Sequence, residues 1–374
     1  MSKDLSQAQD GSVGGNAMPA SKTMDSPSCR LFMGKKVSPS VWAWAGLSWL
    51  LLIALLLGLV LGRYAISPAD AVSILFSRVF SGLPHDDPVA QQIVEAVRLP
   101  RVMLAAILGA GLSAAGAALQ SLFRNPLAEP QLLGVSSGAA FGGVLGMLLW
   151  GDGVPVVSGA LCFGMVALLS VFWLAGQQTG RSGGTVLLVL AGVVVSGVFA
   201  ACVSIVKLAA DPQNQLPAIV FWLMGSLAGA NAARLWLVLP CVGIGLVILY
   251  GLRFQLMALS LGAEDAKALG INVRQTRCLT LFAVGLITAA CVAVSGIVAW
   301  VGLVVPHLVR MGLGSDHKTF LPHVMLAGAS YLILVDTFSR TAMSVEIPLG
   351  VLTALLGAPL FAFLVRRIGQ QTEV

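Results

Sequence analysis

Residues 253–277 read RFQLMALSLGAEDAKALGINVRQTR, a dense cluster of charge set between long apolar segments of an otherwise charge-poor chain. Ser260 or Gly262 can start a short helix here. Glu264 and Asp265 then fall in its first turn, where the macrodipole favours acids, Lys267 follows, and Gly270 suits the left-handed position after its end. Leu261, Ala266 and Leu269 give this helix of about two turns an apolar side that a bare loop cannot satisfy, and so short a helix is marginal alone in water. A partner protein outside the membrane would supply the missing surface. The competing reading is an ordinary solvated cytoplasmic loop, since such loops are commonly basic.

The flanks of this stretch fix the class of protein. Mean hydropathy is +0.91 and charged residues make up 10% of 374 residues, whereas soluble globular chains carry roughly a quarter charged. The chain therefore reads as a polytopic membrane protein. Its formal net charge of +6 is dispersed at segment ends and forms no aromatic-interleaved patch, so membrane topology explains it better than nucleic acid. The six cysteines contain no C-x-x-C pair and read mostly as small core residues. No G-x-x-x-x-G-K-[ST] occurs, so nucleotide chemistry belongs to another chain. His85, His307, His317 and His323 lack metal-ligand spacing and there is no H-E-x-x-H, which argues against a metalloenzyme or a resident cofactor.

Residues 1–38 are rich in Ser, Gly, Lys, Asp and Pro and read as a disordered cytoplasmic tail. Residues 39–374 form the membrane domain. Ten apolar segments follow, at 41–62, 101–123, 132–150, 154–174, 185–209, 233–252, 278–294, 296–310, 320–338 and 347–365. The second has small residues at Gly109, Gly111, Ser113, Ala114, Gly116 and Ala117, which let backbones approach closely and place it inside the bundle. A break with two prolines follows at Arg124-Asn125-Pro126-Leu127-Ala128-Glu129-Pro130. Glu129 is expected at the membrane edge in a tight cytoplasmic turn, with a proton-carrier role as the rival reading. Residues 218–230, interrupted by Gly225 and Gly229, are too short to cross and are expected to be re-entrant or interfacial. With both termini inside, fifteen Lys and Arg fall on the cytoplasmic side against seven outside, which obeys the positive-inside rule.

Three motifs then carry a resemblance that composition cannot supply. RLPRVMLAAILGAGLSAAGAALQSLFRNPLAEPQLLGVSSGAAFG, LGAEDAKALG and GIVAWVGLVVPHLVRMGLGSDHKTFLPHVMLAGASYLILVD occur in the order and spacing of the permease subunit of iron-siderophore, haem and cobalamin ABC importers. The match covers almost everything after Val41. The chain departs from the common pattern in its long polar N-terminus and in Ser137, where many relatives have Asn. The resemblance implies an all-α fold of about ten transmembrane helices in the bacterial inner membrane. It also implies a homodimer with the pathway on its two-fold axis, two cytoplasmic ATPase subunits that hold ATP and magnesium, and a periplasmic binding protein. Under it, the stretch from Leu261 to Ile271, with Gly262, Glu264, Ala266, Lys267, Leu269 and Gly270, is the coupling helix that docks on an ATPase. Arg98, Arg101 and Arg340 would meet glutamates on the two lobes of the binding protein, with snorkelling to headgroups as the plainer reading. Ala191, Val195, Ser196 and Val203 would line the pathway. The cargo would be haem, a ferric siderophore or cobalamin, with iron complexes favoured, and the chain itself would have no catalytic site.

An ion-coupled secondary transporter is the alternative from another class. Such proteins place ionisable residues near the midplane, and Asp336 is the strong candidate here. Arg340 stands four residues later on the same helical face, so a local ion pair explains Asp336 more simply.

Overall fold

The computed structural model describes residues 41–77, 87–176, 184–314, 316 and 318–372. The expected tail at 1–38, the link at 177–183 and His85 and His317 lie outside them. The described chain is all helical, in the order α1 (Val41–Val60), α2 (Pro68–Phe76), α3 (Pro88–Gln92), a π-helical turn (Ile93–Arg98) and α4 (Leu99–Phe123). A 3-10 turn (Pro130–Leu133) leads to α5 (Val135–Trp150), α6 (Val154–Ala175), α7 (Gly184–Ala209), α8 (Gln215–Leu223) and α9 (Ala232–Gly251). Then come α10 (Arg253–Leu261), α11 (Ala263–Ala268), α12 (Val273–Ser295), α13 (Val301–Leu313), α14 (Phe320–Thr341) and α15 (Leu349–Thr372).

Seven helices among the described residues are long and apolar enough to cross a membrane, and α5, α13 and the Leu349–Phe363 part of α15 are shorter apolar stretches. These are the ten segments read from the sequence. In α4 and α12, 78% of the apolar window is buried, against 17% in α1. The first two therefore form the centre, and α1 is left largely for lipid. Small residues explain why α4 can sit there. A Cβ on Gly109 would come within 2.2 Å of the Gly328 carbonyl oxygen on α14, and one on Gly116 within 1.8 Å of that of Gly302 on α13. Side chains at either position would push helices apart.

Two segments are shorter than the sequence implies. α5 has 16 residues and α13 has 13, which at 1.5 Å per residue span about 24 and 20 Å against a hydrocarbon core of about 30 Å. α13 does not begin at Gly296. Residues 296–300 form an irregular link with Gly296 at φ 66° and Trp300 at φ 70°, and the helix starts only at Val301. Gly296 is needed there because a Cβ would lie 2.0 Å from the Trp222 carbonyl oxygen. The expected short segment at 218–230 is α8, nine residues long, followed by irregular chain.

Candidate functional site

At the outer end of the bundle, Pro88 at the first helical position and the Asp87 side chain, accepting from Val89 and Ala90 backbone N–H at 3.0 Å, start α3. The chain runs through the π turn into α4, and this turn sets the direction of Arg98 and Arg101. Arg98 Nη1 donates to the carbonyl oxygens of Leu59 at 2.6 Å and Val60 at 2.8 Å, and Nη2 donates to that of Tyr64. It thus satisfies the orphan carbonyls at the end of α1. Arg101 grips two carboxylates at once. Nε and Nη2 donate to Asp336 on α14 at 2.9–3.1 Å, and Nη1 and Nη2 donate to Glu346 at 3.0 and 2.9 Å. Arg340 Nη2 donates to the Gly58 carbonyl, with Nε 3.7 Å from Asp336.

Two expectations change here. The chief partner of Asp336 is Arg101, 235 residues away in the chain, and Arg340 is the weaker contact. The three arginines are also not spread on an open face or reaching for headgroups, since Arg98, Arg101 and Arg340 are only 4, 7 and 8% exposed. Buried guanidiniums need partners, and backbone carbonyls and carboxylates supply them. Glu346 was not anticipated from the sequence; an acid in an outer link close to arginines is the signal that could have found it. Burial pushes its carboxyl up, but the Arg101 hydrogen bond and the charges of Arg101, Arg63 and Arg340 outweigh this and hold it below its usual range.

Deeper in the bundle, four irregular links meet. Ser226 N–H donates to the Ser295 carbonyl at 2.8 Å, and Leu349 and Gly350 N–H donate to the carbonyls of Gly225 at 2.8 Å and Met224 at 3.0 Å. The Glu129 carboxylate accepts from Trp300 backbone N–H at 2.6 Å. Glu129 therefore does not lie at the membrane edge. It lines a cavity of about 10 Å³ together with Leu112, Gly302, Thr288 and Ser295. Leu112 stands 13 residues after Leu99 and 11 before Phe123, near the middle of α4. The link 125–134 thus turns back into the bundle, where irregular backbone is tolerated because protein covers it. Gln120 fastens the same region, with Nε2 donating to the carbonyls of Gly302 at 3.3 Å and Leu303 at 3.4 Å while Oε1 accepts from Arg310.

On the charged stretch, the helix starts at Gly262 and ends before Gly270 at φ 76°, as expected. Unanticipated is α10, the helix that precedes it. Lys267 Nζ bonds Glu264 at 2.9 Å. Leu261 and Leu269 are 59 and 60% exposed, whereas Ala266 is fully buried. Ala266 is therefore an internal packing residue, and the two leucines present the free apolar surface.

On α7 the expected pathway residues Ala191, Val195 and Val203 are buried and Ser196 is half-buried. Gly192 and Gly134 explain the packing. A Cβ on Gly192 would meet the Leu132 carbonyl at 1.9 Å, and one on Gly134 would lie 3.1 Å from Val195. These residues face the re-entrant link and α5, so the face of α7 left open carries Val186, Leu190, Val193 and Val198. Beside α8, a cavity of about 410 Å³ is lined by Trp222, Phe221, Gln215 and Asn214, with an Arg234–Asp152 pair at 3.2 Å.

Broken helices meeting at depth, a buried charge clamp at one end and a short amphipathic helix exposed at the other define a membrane transport subunit rather than a pore-free anchor. Residues 50–367 match the FecCD transport family, and the chain belongs to it. It is 41% identical over 323 residues to the molybdate import system permease protein MolB of Haemophilus influenzae, covering 86% of this chain and 95% of that one. It is 38% identical over 292 residues to the hemin transport system permease protein HmuU of Yersinia pestis, covering 74 and 83%. It is 35% identical over 332 residues to the vitamin B12 import system permease protein BtuC of Escherichia coli, covering 87 and 94%. A solved structure described as an inward-facing metal-chelate type ABC transporter superposes with a TM-score of 0.77 at 40% identity, covering 86% of this chain and 98% of that one. The chain is an ABC importer permease, a multi-pass membrane transport subunit.

Proposed function

We propose that this permease imports a metal-containing solute across the bacterial inner membrane, as a homodimer driven by two cytoplasmic ATPase subunits and fed by a periplasmic binding protein. The observation that carries this reading is the helix at 263–268 with its flanking leucines. Leu261 and Leu269 stand exposed on a charged, non-spanning segment, the kind of apolar anchor that a protein groove desolvates. ATP-driven closure of the ATPases would move this helix as a rigid lever on a two-state bundle. The open apolar face of α7 supports a second copy of the chain as its cover, with the pathway walls supplied by that face and by α15. At the outer end, the cluster of Arg98, Arg101 and Arg340 with Asp336 and Glu346 is the docking site for the binding protein in this reading. Such a partner would be steered by the field of the cluster more than by direct contacts to its buried members.

The motifs favour an iron complex, haem or ferric siderophore, or cobalamin as cargo. A second reading, molybdate, is favoured by the 41% identity to MolB. ATP-dependent uptake into proteoliposomes holding the permease, its ATPase and its binding protein, measured for labelled haem, ferric siderophore, cobalamin and molybdate, separates them. Uptake of one of these that disappears when the ATPase Walker lysine is changed is the expected result. Uptake driven by an ion gradient without the ATPase would make the chain a secondary transporter.

A further inference from the structure

The contact between Glu129 and Trp300 is used by nothing in the reading above. Glu129 is an acid deep in the bundle, and the residues sharing its cavity carry no positive charge. Its partner is a backbone N–H. Trp300 is one of two non-glycine residues with positive φ among the described residues, a conformation costly for a bulky side chain. It stands at the N-cap of α13, where its own carbonyl accepts from Leu303 at 3.1 Å and Val304 at 2.8 Å. The Glu129 carboxylate therefore sits against the positive end of a 13-residue helix and holds the break in place.

The side chain of Trp300 carries the contact further. Its Cβ lies 2.7 Å from where a Cβ on Gly357 of α15 would be, and its ring meets Phe361 of α15 edge-on at 6.0 Å. Glu129 is thus connected through one residue from the re-entrant link between α4 and α5 to both α13 and α15. On the other side of the link, Pro130 packs on α13, where a Cβ on Gly302 would come within 2.9 Å of its ring. The link is wedged against α13 from two sides, and only the side at Trp300 depends on a single hydrogen bond.

We propose that Glu129 is a positioning residue for transport, a latch whose carboxylate oxygen fixes Trp300 and through it sets α15 relative to α13. The carboxylate acts as an acceptor for the Trp300 N–H, so a neutral acceptor of the same shape can replace it. The proposal rests on the reading of α15 as a pathway wall, and the test keeps the two apart. Three variants are reconstituted with the ATPase and binding protein: Glu129→Ala, Glu129→Gln and Trp300→Gly, the last keeping the N–H and losing the ring. Cargo delivered per ATP is measured. Spin labels at Leu308→Cys on α13 and Leu355→Cys on α15, both exposed, report the interhelix distance in a cysteine-free background.

Glu129→Ala is expected to lower cargo per ATP about tenfold, the scale of one buried hydrogen bond, and to broaden the α13–α15 distance distribution while the complex still assembles. Glu129→Gln is expected to restore both to within about twofold, and Trp300→Gly to reproduce the alanine phenotype with the carboxylate intact. Unchanged coupling and distance in Glu129→Ala, or a glutamine variant as defective as alanine, overturns the latch. If Glu129→Ala fails to assemble, Trp300→Gly decides, and normal coupling there overturns it. If the wild type shows no ATP-driven uptake at all, the pathway reading fails, and the distance measurement alone still tests the latch.

Discussion

The two ends of this molecule use charge and apolar surface in opposite ways. At the outer end, three arginines and Asp336 are nearly sealed from solvent, and the guanidiniums are held by carbonyls and carboxylates from α1, α14 and the link before α15. At the cytoplasmic end, Glu264 and Lys267 are solvated while Leu261 and Leu269 lie open. Buried ion pairs bind the chain to itself, because removing one member strands the other. Exposed leucines contribute little to the isolated chain and gain value only against a partner. The charged residues that look like docking groups in the sequence therefore stabilise the fold first, and the plain leucines are the better docking candidates.

The largest expected effect tests the first half of that contrast. Arg101→Ala leaves Asp336 buried without its main partner and is expected to cost about 3–5 kcal/mol, read as a loss of monodisperse protein and a lower melting temperature in detergent. A variant of wild-type stability would show that the clamp is solvated after all. The Leu261→Asp, Leu269→Asp double variant should do the reverse. Its melting temperature is expected to stay near wild type, since changes at exposed positions are usually within about 0.5 kcal/mol. Recovery of the ATPase with the tagged permease is expected to fall by the equivalent of about 2 kcal/mol or more. Undiminished recovery would move the docking surface elsewhere. Ala266→Leu sharpens the boundary between the two behaviours, because Ala266 lies on the docking helix but is buried. It is expected to cost the chain itself about 1–3 kcal/mol by overpacking, visible in melting of the permease without its ATPase.

The smallest effect is the pH response of Glu346. Its folded pKa is held below the ordinary glutamate value, so its contribution is complete above about pH 4.3 and is lost as pH falls through the lowered value. The melting difference between wild type and Glu346→Gln should be constant from neutral pH down to that point and shrink below it. A difference that grows on acidification would reverse the sign of the interaction.

Much of this was legible in the sequence, and the gaps have physical causes. The ten apolar segments, the interior place of α4 and the boundaries of the charged helix at Gly262 and Gly270 follow from local composition and backbone preference. The burial of Arg98, Arg101 and Arg340 does not, because their partners lie tens to hundreds of residues away and a sequence shows the charge without its neighbours. Glu129 looked like an edge residue because a two-proline break ordinarily marks a surface turn. The Glu129 contact with Trp300 and the packing of Pro130 and Leu132 against Gly302 and Gly192 show that the chain re-enters. The inward turn of Ala191, Val195 and Val203 was hidden for a related reason. α7 is apolar on nearly every side, so no periodicity distinguishes its faces.

The brevity of α13 bears on how the protein is made. A 13-residue helix reaches about 20 Å, too short to settle across a bilayer by itself. It is therefore expected to insert together with α12 as one hairpin that carries residues 296–300 between them. Those residues bring backbone groups that lipid cannot solvate. The acceptor for the Trp300 N–H, the Glu129 carboxylate on the α4–α5 link, comes from chain made earlier, so the order of synthesis makes it available before the segment that requires it arrives.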